Sequence, residues 1–211
     1  MISSMIPLVL NLKDKEVVIF GGGNVAKRKA NLFSRYVKRI KVVSKEFESG
    51  LKKIKNVKVI KAEINENNIS IFLKNAFIAI PATNNKKINK LISKECSKVG
   101  ILVNMVDGSG DFIVPSIIKN HAFLIGISTY GKSPGMAKYA RKNLSIPKSW
   151  KLMVRLQEEM RKKLCKKKRI DALRRLIRNK NIWLYLEKNE YKEAKEYAEA
   201  LLRNAIANKN R

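Results

Sequence analysis

Six consecutive residues, Gly21-Gly22-Gly23-Asn24-Val25-Ala26, satisfy the spacing G-x-G-x-x-A directly behind the β-branched run Glu16–Phe20. In a strand–turn–helix context each small residue has a purpose. Gly21 permits a tight turn, Gly23 lets the backbone approach a pyrophosphate, and Ala26 lets helix and sheet pack closely. Free N–H groups at the helix start then face the phosphates with the positive end of the helix behind them. The second candidate is Asp107, a carboxylate delivered by the apolar run Ile101–Val106 and followed by Gly108-Ser109-Gly110. A carboxylate at the end of a parallel strand is placed for general-base work, and read alone it is equally a turn cap before Gly108. The third group is Ser128, Thr129, Gly131, Lys132 and Ser133, ahead of Pro134. Hydroxyls, free N–H groups and one cation at a helix start suit a carboxylate ligand, and the same residues also read as an ordinary N-cap. Cys96, Cys165 and the single His121 are too few and too scattered for a disulfide framework or a Cys/His metal cluster, so no metal ligands are expected.

The elements that must hold these groups alternate. Strands are expected at Glu16–Phe20, Ile40–Ser44, Val57–Ile60, Phe77–Ile80 and Ile101–Val106. Between them, one helix after the glycines sets Val25, Ala26, Leu32, Phe33 and Tyr36 near one face. A short helix near Asn67–Leu73 and another from Asn85 to Val99, stopped by Gly100, complete the alternation. This is an α/β pattern with an N-terminal Rossmann-type parallel sheet. The second strand ends Ser44-Lys45-Glu46, with an acid two residues later than the usual ribose-binding position. Lys45 at that place suits a 2′-phosphate instead, so the residues leave NAD and NADP both open.

Beyond Phe112 the pattern changes to Phe112–Val114, a turn at Pro115 and an apolar strand Ala122–Ser128, then a helix from Pro134 to about Leu144 capped by Ser133. After Pro147 everything is helical in character: Trp150–Lys168, Ile170–Asn179, a segment around Trp183, and Tyr191–Ala207. The division expected is 1–112 for the cofactor domain, 113–146 for a small central α+β region, and 147–211 for an all-helical end.

The chain has 211 residues, 46 Lys+Arg against 17 Asp+Glu, a net charge of +29, and 45% hydrophobic residues. That apolar content excludes a disordered polybasic tail. Residues 1–112 carry +12 and residues 113–211 carry +17, with eleven cations and one acid between Arg161 and Lys180. Such charge fits a nucleic acid, a polyanionic small substrate, or a lysine-rich solvated surface, and composition does not choose among them. No cation precedes the apolar stretch Met1–Leu10 and Pro7 interrupts it, so neither a signal peptide nor a membrane anchor is expected, and the chain reads as cytoplasmic.

Several segments together carry a resemblance: Ile6–Leu12, VVIFGGGNVAKRKANLF from Val17, ATNN at Ala82–Asn85, VNMVDGSGDFIVPS from Val103, and ISTYGKSPGMAKYAR from Ile127. Over residues 5–145, about two thirds of the chain, they resemble the siroheme synthase family, and within it the precorrin-2 dehydrogenase module. The resemblance implies a homodimer with a central dimerisation region and NAD-dependent oxidation of precorrin-2 to sirohydrochlorin, with ferrous iron as a further substrate in some members. It places the catalytic aspartate at Asp107 and the cofactor contacts at Gly21, Gly22, Gly23, Asn24, Val25, Ser44, Lys45, Glu46, Ala82 and Thr83. The substrate side falls on Asn104 with Ser128, Thr129, Gly131, Lys132 and Ser133. The loop from Asp107 to Pro115 is short and glycine-rich for that family, and the tail matches only in being helical.

An octacarboxylate substrate accounts for a basic cleft without nucleic acid, since charge-assisted hydrogen bonds are worth roughly 1.5–3 kcal/mol each. The competing reading is a dinucleotide-sensing regulator whose basic helical tail binds nucleic acid. It finds no helix-turn-helix signature in the tail and leaves Asp107 and Thr129 without a purpose.

Overall fold

In the computed structural model residues 5–106 and 110–207 are described, with only the backbone of Asn204 and Ala207. The chain forms two compact units, Met1–Val114 with Tyr130–Lys132, and Pro115–Thr129 with Ser133–Arg211.

Five strands form the sheet of the first unit: β1 (Glu16–Phe20), β2 (Arg39–Ser44), β3 (Val57–Lys61), β4 (Ile78–Pro81) and β5 (Leu102–Val103). All pairings are parallel and the order is β3-β2-β1-β4-β5. Strand residues alternate between faces, and both faces are covered, so β1 reads as a continuous apolar run rather than an alternation. Val17 and Ile19 join one core with Ala26, Ala30 and Phe33 of α1 (Asn24–Phe33). Val18 and Phe20 join the other with Ile69 and Leu73 of α2 (Ile69–Leu73) and Ile92 and Cys96 of α3 (Lys86–Lys98). The charged stretch after β2 holds only a single 3-10 turn, Leu51–Lys53.

The order reverses between β1 and β4, since the chain leaves β1 toward β2 and returns on the other side at β4. A crevice outside the carboxyl ends of those two strands is where open α/β sheets keep their ligands.

Two expectations in this unit are overturned. Strand β5 is two residues long rather than the six from Ile101 to Val106. The chain leaves the ladder at Asn104, whose N–H still reaches Ala79 O at 3.0 Å, and Val106 is half exposed. The helix behind the glycines stops at Phe33, so Tyr36 lies beyond it in the turn that leads to β2. The run Phe112–Val114, to which the sequence assigns no element, is irregular, and Phe112 and Val114 pack against the α1-side core.

In the second unit, Pro115 opens a strand instead of a turn: β6 (Ser116–Lys119) pairs antiparallel with β7 (Leu124–Ile127). Pro has no N–H to give a ladder, so it sits at the strand's start. β7 is shorter than the expected Ala122–Ser128 and alternates in exposure, with Leu124 half exposed. The helix α4 (Pro134–Asn143) packs against both strands, and the Ser133 hydroxyl accepts the Met136 N–H at 3.3 Å, as the sequence suggests. Then follow α5 (Lys148–Lys163), α6 (Arg169–Arg178), α7 (Lys180–Glu187), α8 (Tyr191–Leu201) and α9 (Arg203–Ala207), around a core that includes Leu156, Met160, Leu176 and Ala198. The expected continuous helix Tyr191–Ala207 is thus two helices that part at Leu202.

Candidate active site

The crevice at the switch point is built by three glycines that differ in what they require. Gly21 has φ +113°, which L side chains rarely adopt, and a Cβ there would lie 2.3 Å from Ala82 O at the end of β4. A Cβ on Gly22 would lie 1.9 Å from Glu46 O and 3.0 Å from Ser44 Cβ, at the end of β2. Gly21 N–H donates to Val43 O at 2.8 Å, and Glu48 N–H donates to Gly22 O at 2.7 Å. These two glycines are therefore packing requirements of the protein itself. Gly23 is not: its φ of −81° suits any residue, and no protein atom lies within 4 Å of where a Cβ would be.

Gly23 is also the N-cap of α1, with no side chain capping the helix and no acid in its first turn. The first N–H groups of any helix lack intrahelical partners, and here the usual Ser, Thr or Asp that would occupy them is missing. By contrast Asn85 caps α3 by accepting from Lys87 N–H at 2.9 Å and Ile88 N–H at 3.2 Å, and Ser133 caps α4. An uncapped helix start beneath an open glycine, outside the carboxyl ends of β1 and β4, offers the free N–H groups and the backbone access that a pyrophosphate needs. The NAD(P) nucleotide fits the residues present there.

The remaining expected cofactor residues surround that cradle. Ser44 and Glu46 border Gly22, and Glu46 is exposed. Lys45 is held by Glu63 at 2.5 Å. Ala82 borders Gly21, and Thr83 is locked by Asn89, which accepts from its hydroxyl at 2.7 Å and its N–H at 3.1 Å and donates to its carbonyl at 2.9 Å. Asn89, on α3 and six residues downstream, was not expected from the sequence.

Asp107 lies outside the described residues, as do Gly108 and Ser109. The residues on either side of them are fastened together. Asp111 Oδ2 accepts the Val103 N–H at 2.8 Å while Asp111 N–H donates to Val103 O at 2.9 Å. A Cβ on Gly110 would sit 2.4 Å from Val103 O, so glycine is needed for this close approach. Asn104 is 2% exposed; its Nδ2 donates to Phe112 O at 2.9 Å, and its Oδ1 accepts from Lys29 Nζ at 2.5 Å. Burial first, then the neighbouring Arg28 charge, holds the Lys29 ammonium below its ordinary pKa. Burial, with Asp111 and Glu95 adding, pushes the Cys96 thiol up to about 12. Asp111 and Lys29 were missed because both act across turns that no spacing rule describes.

Thr129 and Ser133, of the third expected group, meet at the start of α4, where Thr129 Oγ1 accepts the Ser133 N–H at 3.0 Å. Tyr130 and Gly131 both take positive φ, +55° and +81°, and Lys132 is exposed. Among the described residues no group of three or more His, Cys, Asp or Glu could hold a metal ion.

A family model described as NAD(P)-binding matches residues 8–116. The chain is 32% identical to a precorrin-2 dehydrogenase of Methanosarcina barkeri, over 99% of this chain and 98% of that protein. It is 33% identical to a siroheme synthase of Blochmanniella pennsylvanica over 97% of this chain, and spans 44% of that longer protein. Among solved structures, that of the precorrin-2 dehydrogenase SirC matches 92% of this chain and 100% of its own with a TM-score of 0.65 and 24% identity, a likeness of fold.

Proposed function

This chain belongs to the family of precorrin-2 dehydrogenases and siroheme synthases, and from that premise we propose that it oxidises precorrin-2 to sirohydrochlorin with NAD as acceptor. The observation that carries the cofactor half of this reading is Gly23, a glycine that the protein's own packing does not require, at the uncapped start of α1. The substrate half is supported by the match to a precorrin-2 dehydrogenase along both full lengths.

NAD, when bound, supplies the hydride acceptor at nicotinamide C4. The protein does the rest. The α1 N-terminus and the glycine loop hold the pyrophosphate, with Asn24 and Val25 providing the first helical N–H groups. Ser44 and Glu46 face the ribose, and Lys45 beside them forms an exposed ion pair with Glu63. Ala82 and Thr83 form the opposite wall. Asp107 accepts the proton released as the macrocycle loses its hydride, a role typically worth 10²–10⁴-fold in rate. Asp111, Gly110 and Asn104 tie Val103 and Asn104 to the chain at 110–112. Thr129, Lys132 and Ser133, with Ser128 and Gly131, receive substrate carboxylates.

The segment 113–146 serves as the dimerisation region between the cofactor domain, 1–112, and the helical end, 147–211. A two-stranded ribbon is marginal by itself. β6–β7 and α4 leave Leu124, Met136, Tyr139 and Leu144 about half exposed, and a second copy of the chain would cover them. Among the described residues no helix is long and apolar enough to cross a membrane.

Anaerobic incubation with precorrin-2 and NAD, following tetrapyrrole absorbance and NADH together, tests the reading, with Asp107→Ala as control. Sirohydrochlorin and NADH should grow in equal amounts and both should be lost in the variant. Absence of both signals with NAD and with NADP would overturn it, and adding ferrous iron to the same mixture shows whether the product is metallated.

A further inference from the structure

Lys29 stands where the helix pattern calls for an apolar residue. It is three positions after Ala26 and four before Phe33, both buried on the sheet-facing side of α1, so its Cβ points toward the core side. A residue that breaks the binary pattern of an otherwise regular helix needs a reason beyond folding. The chain is rich in lysine, yet most lysines lie at the surface, and several of them, such as Lys45 and Lys163, reach the carboxylates of Glu63 and Glu199.

Lys29 differs from these. Its side chain is partly buried, its hydrogen-bond acceptor among the described residues is the neutral Asn104 carboxamide, and no carboxylate among those residues perturbs it. Arg28 beside it adds a like charge, and the lowered pKa expresses that cost. Among the described residues one of its three N–H donors is used, and a ligand carboxylate can take another. Asn104 is fixed in one amide orientation because its Nδ2 is spent on Phe112 O, so its oxygen must face Lys29. The cation is thereby held at the end of β5, past the carboxyl end of the strand beside the switch point.

We propose that Lys29 is a substrate contact, its ammonium held by Asn104 to pair with one carboxylate arm of the tetrapyrrole and so to select a polycarboxylate substrate. This rests on the dehydrogenase reading above for the identity of the ligand. Among the described residues no carboxylate compensates this partly buried cation, and a carboxylate arm of the substrate would do so. Placing the charge on a rigid helix and orienting it through a buried amide makes it a preorganised contact rather than a mobile surface lysine.

The test is equilibrium binding of sirohydrochlorin and, separately, of NADH to the whole protein, for the wild type, Lys29→Met and Lys29→Arg, with steady-state kinetics alongside. Methionine keeps the length of the side chain but leaves the buried Asn104 Oδ1 without its donor, so Lys29→Met should melt a few degrees below the wild type and remain folded, with Lys29→Arg restoring a donor. The Kd for sirohydrochlorin and the KM for precorrin-2 should rise about tenfold or more, the loss of one charge-assisted hydrogen bond, with NADH affinity unchanged. Lys29→Arg should recover part of the loss. Unchanged tetrapyrrole affinity in Lys29→Met, or a loss confined to NADH, would overturn the assignment, as would a fall in kcat at constant KM, which would put Lys29 at the proton-transfer step. A wild type that binds sirohydrochlorin without turning over precorrin-2 would refute the dehydrogenase reading alone and leave this comparison in force.

Discussion

Replacing Gly22 and Gly23 one at a time by alanine separates what the fold needs from what the cofactor needs. At Gly22 the new methyl would lie 1.9 Å from Glu46 O and 3.0 Å from the Glu46 carbonyl carbon, both backbone atoms that cannot swing away. Inserting a methyl into a filled site typically costs about 1–3 kcal/mol. For a chain of this size that lowers Tm by about 2–12 °C. At Gly23 the methyl would meet no protein atom, and φ −81° is allowed for alanine. The small loss of N-cap preference is offset by reduced freedom of the unfolded chain, so stability should change by less than about 1 kcal/mol. Pyrophosphate oxygens must come to about 2.9 Å from the N–H groups of this turn, and a methyl on residue 23 occupies that approach. Gly23→Ala should therefore weaken NAD binding by about tenfold or more, equivalent to about 1.4 kcal/mol, while melting as the wild type does. Calorimetric melting and NADH fluorescence titration on both variants measure the two effects. A Gly23→Ala protein that binds NADH within twofold of the wild type, or a Gly22→Ala protein that is fully stable, would refute the reasoning.

Asp111→Ala strands the buried Val103 N–H and loosens the tie between Val103 and Asp111, so it should cost about 1–3 kcal/mol in urea unfolding and lower kcat while NADH still binds. Glu159 is held well below its ordinary pKa, at about 2, by hydrogen bonds from Lys195 first and then Tyr191 and Arg155. The depressed carboxylate stabilises the fold fully above about pH 4.5. That contribution disappears as the pH falls toward 2, and a Glu159→Gln protein should lack this share of the acid sensitivity in a melting series across the window. Buried Cys96, its thiol raised to about 12, should resist iodoacetamide at pH 8. Half-buried Cys165 should alkylate first, and mass spectrometry that found Cys96 modified first in the native protein would contradict the packing of α3 on the sheet.

The glycine loop was legible because its information is local: spacing, a preceding strand and a following helix specify the turn without reference to the rest of the chain. The same local logic reads Ser133-Pro134 as a helix start, and the hydroxyl does cap α4. What escaped depends on distant partners. Gly22 falls at a free position of the pattern, yet its constraint comes from Glu46 across the sheet edge. Lys29 meets Asn104 from 75 positions away, and Asp111 reaches back to Val103 by a side chain that no periodicity announces. The run Ile101–Val106 looks like a six-residue strand because apolar composition is all that sequence offers there. The strand ends at Val103; the Asn104 N–H makes the last bond to β4, and its side-chain amide joins Phe112 and Lys29.

The charge of the helical end is a question of placement more than of amount. Ten of the eleven cations between Arg161 and Lys180 are exposed, and α6 buries only Ala172 and Leu176, so most of this charge is the solvated face of an amphipathic helix. Exposed charges of this kind are screened within about 8–10 Å at ordinary ionic strength and contribute a field that draws anions in. They do not discriminate among anions, because no fixed acceptor sets their direction. Lys29 has the opposite character, a single cation, partly desolvated and oriented by a buried amide, whose interaction with a carboxylate would be screened far less. In a protein carrying +29, selectivity for a polycarboxylate therefore has to come from the few cations the fold has taken out of water, and the many left in it set the rate of encounter.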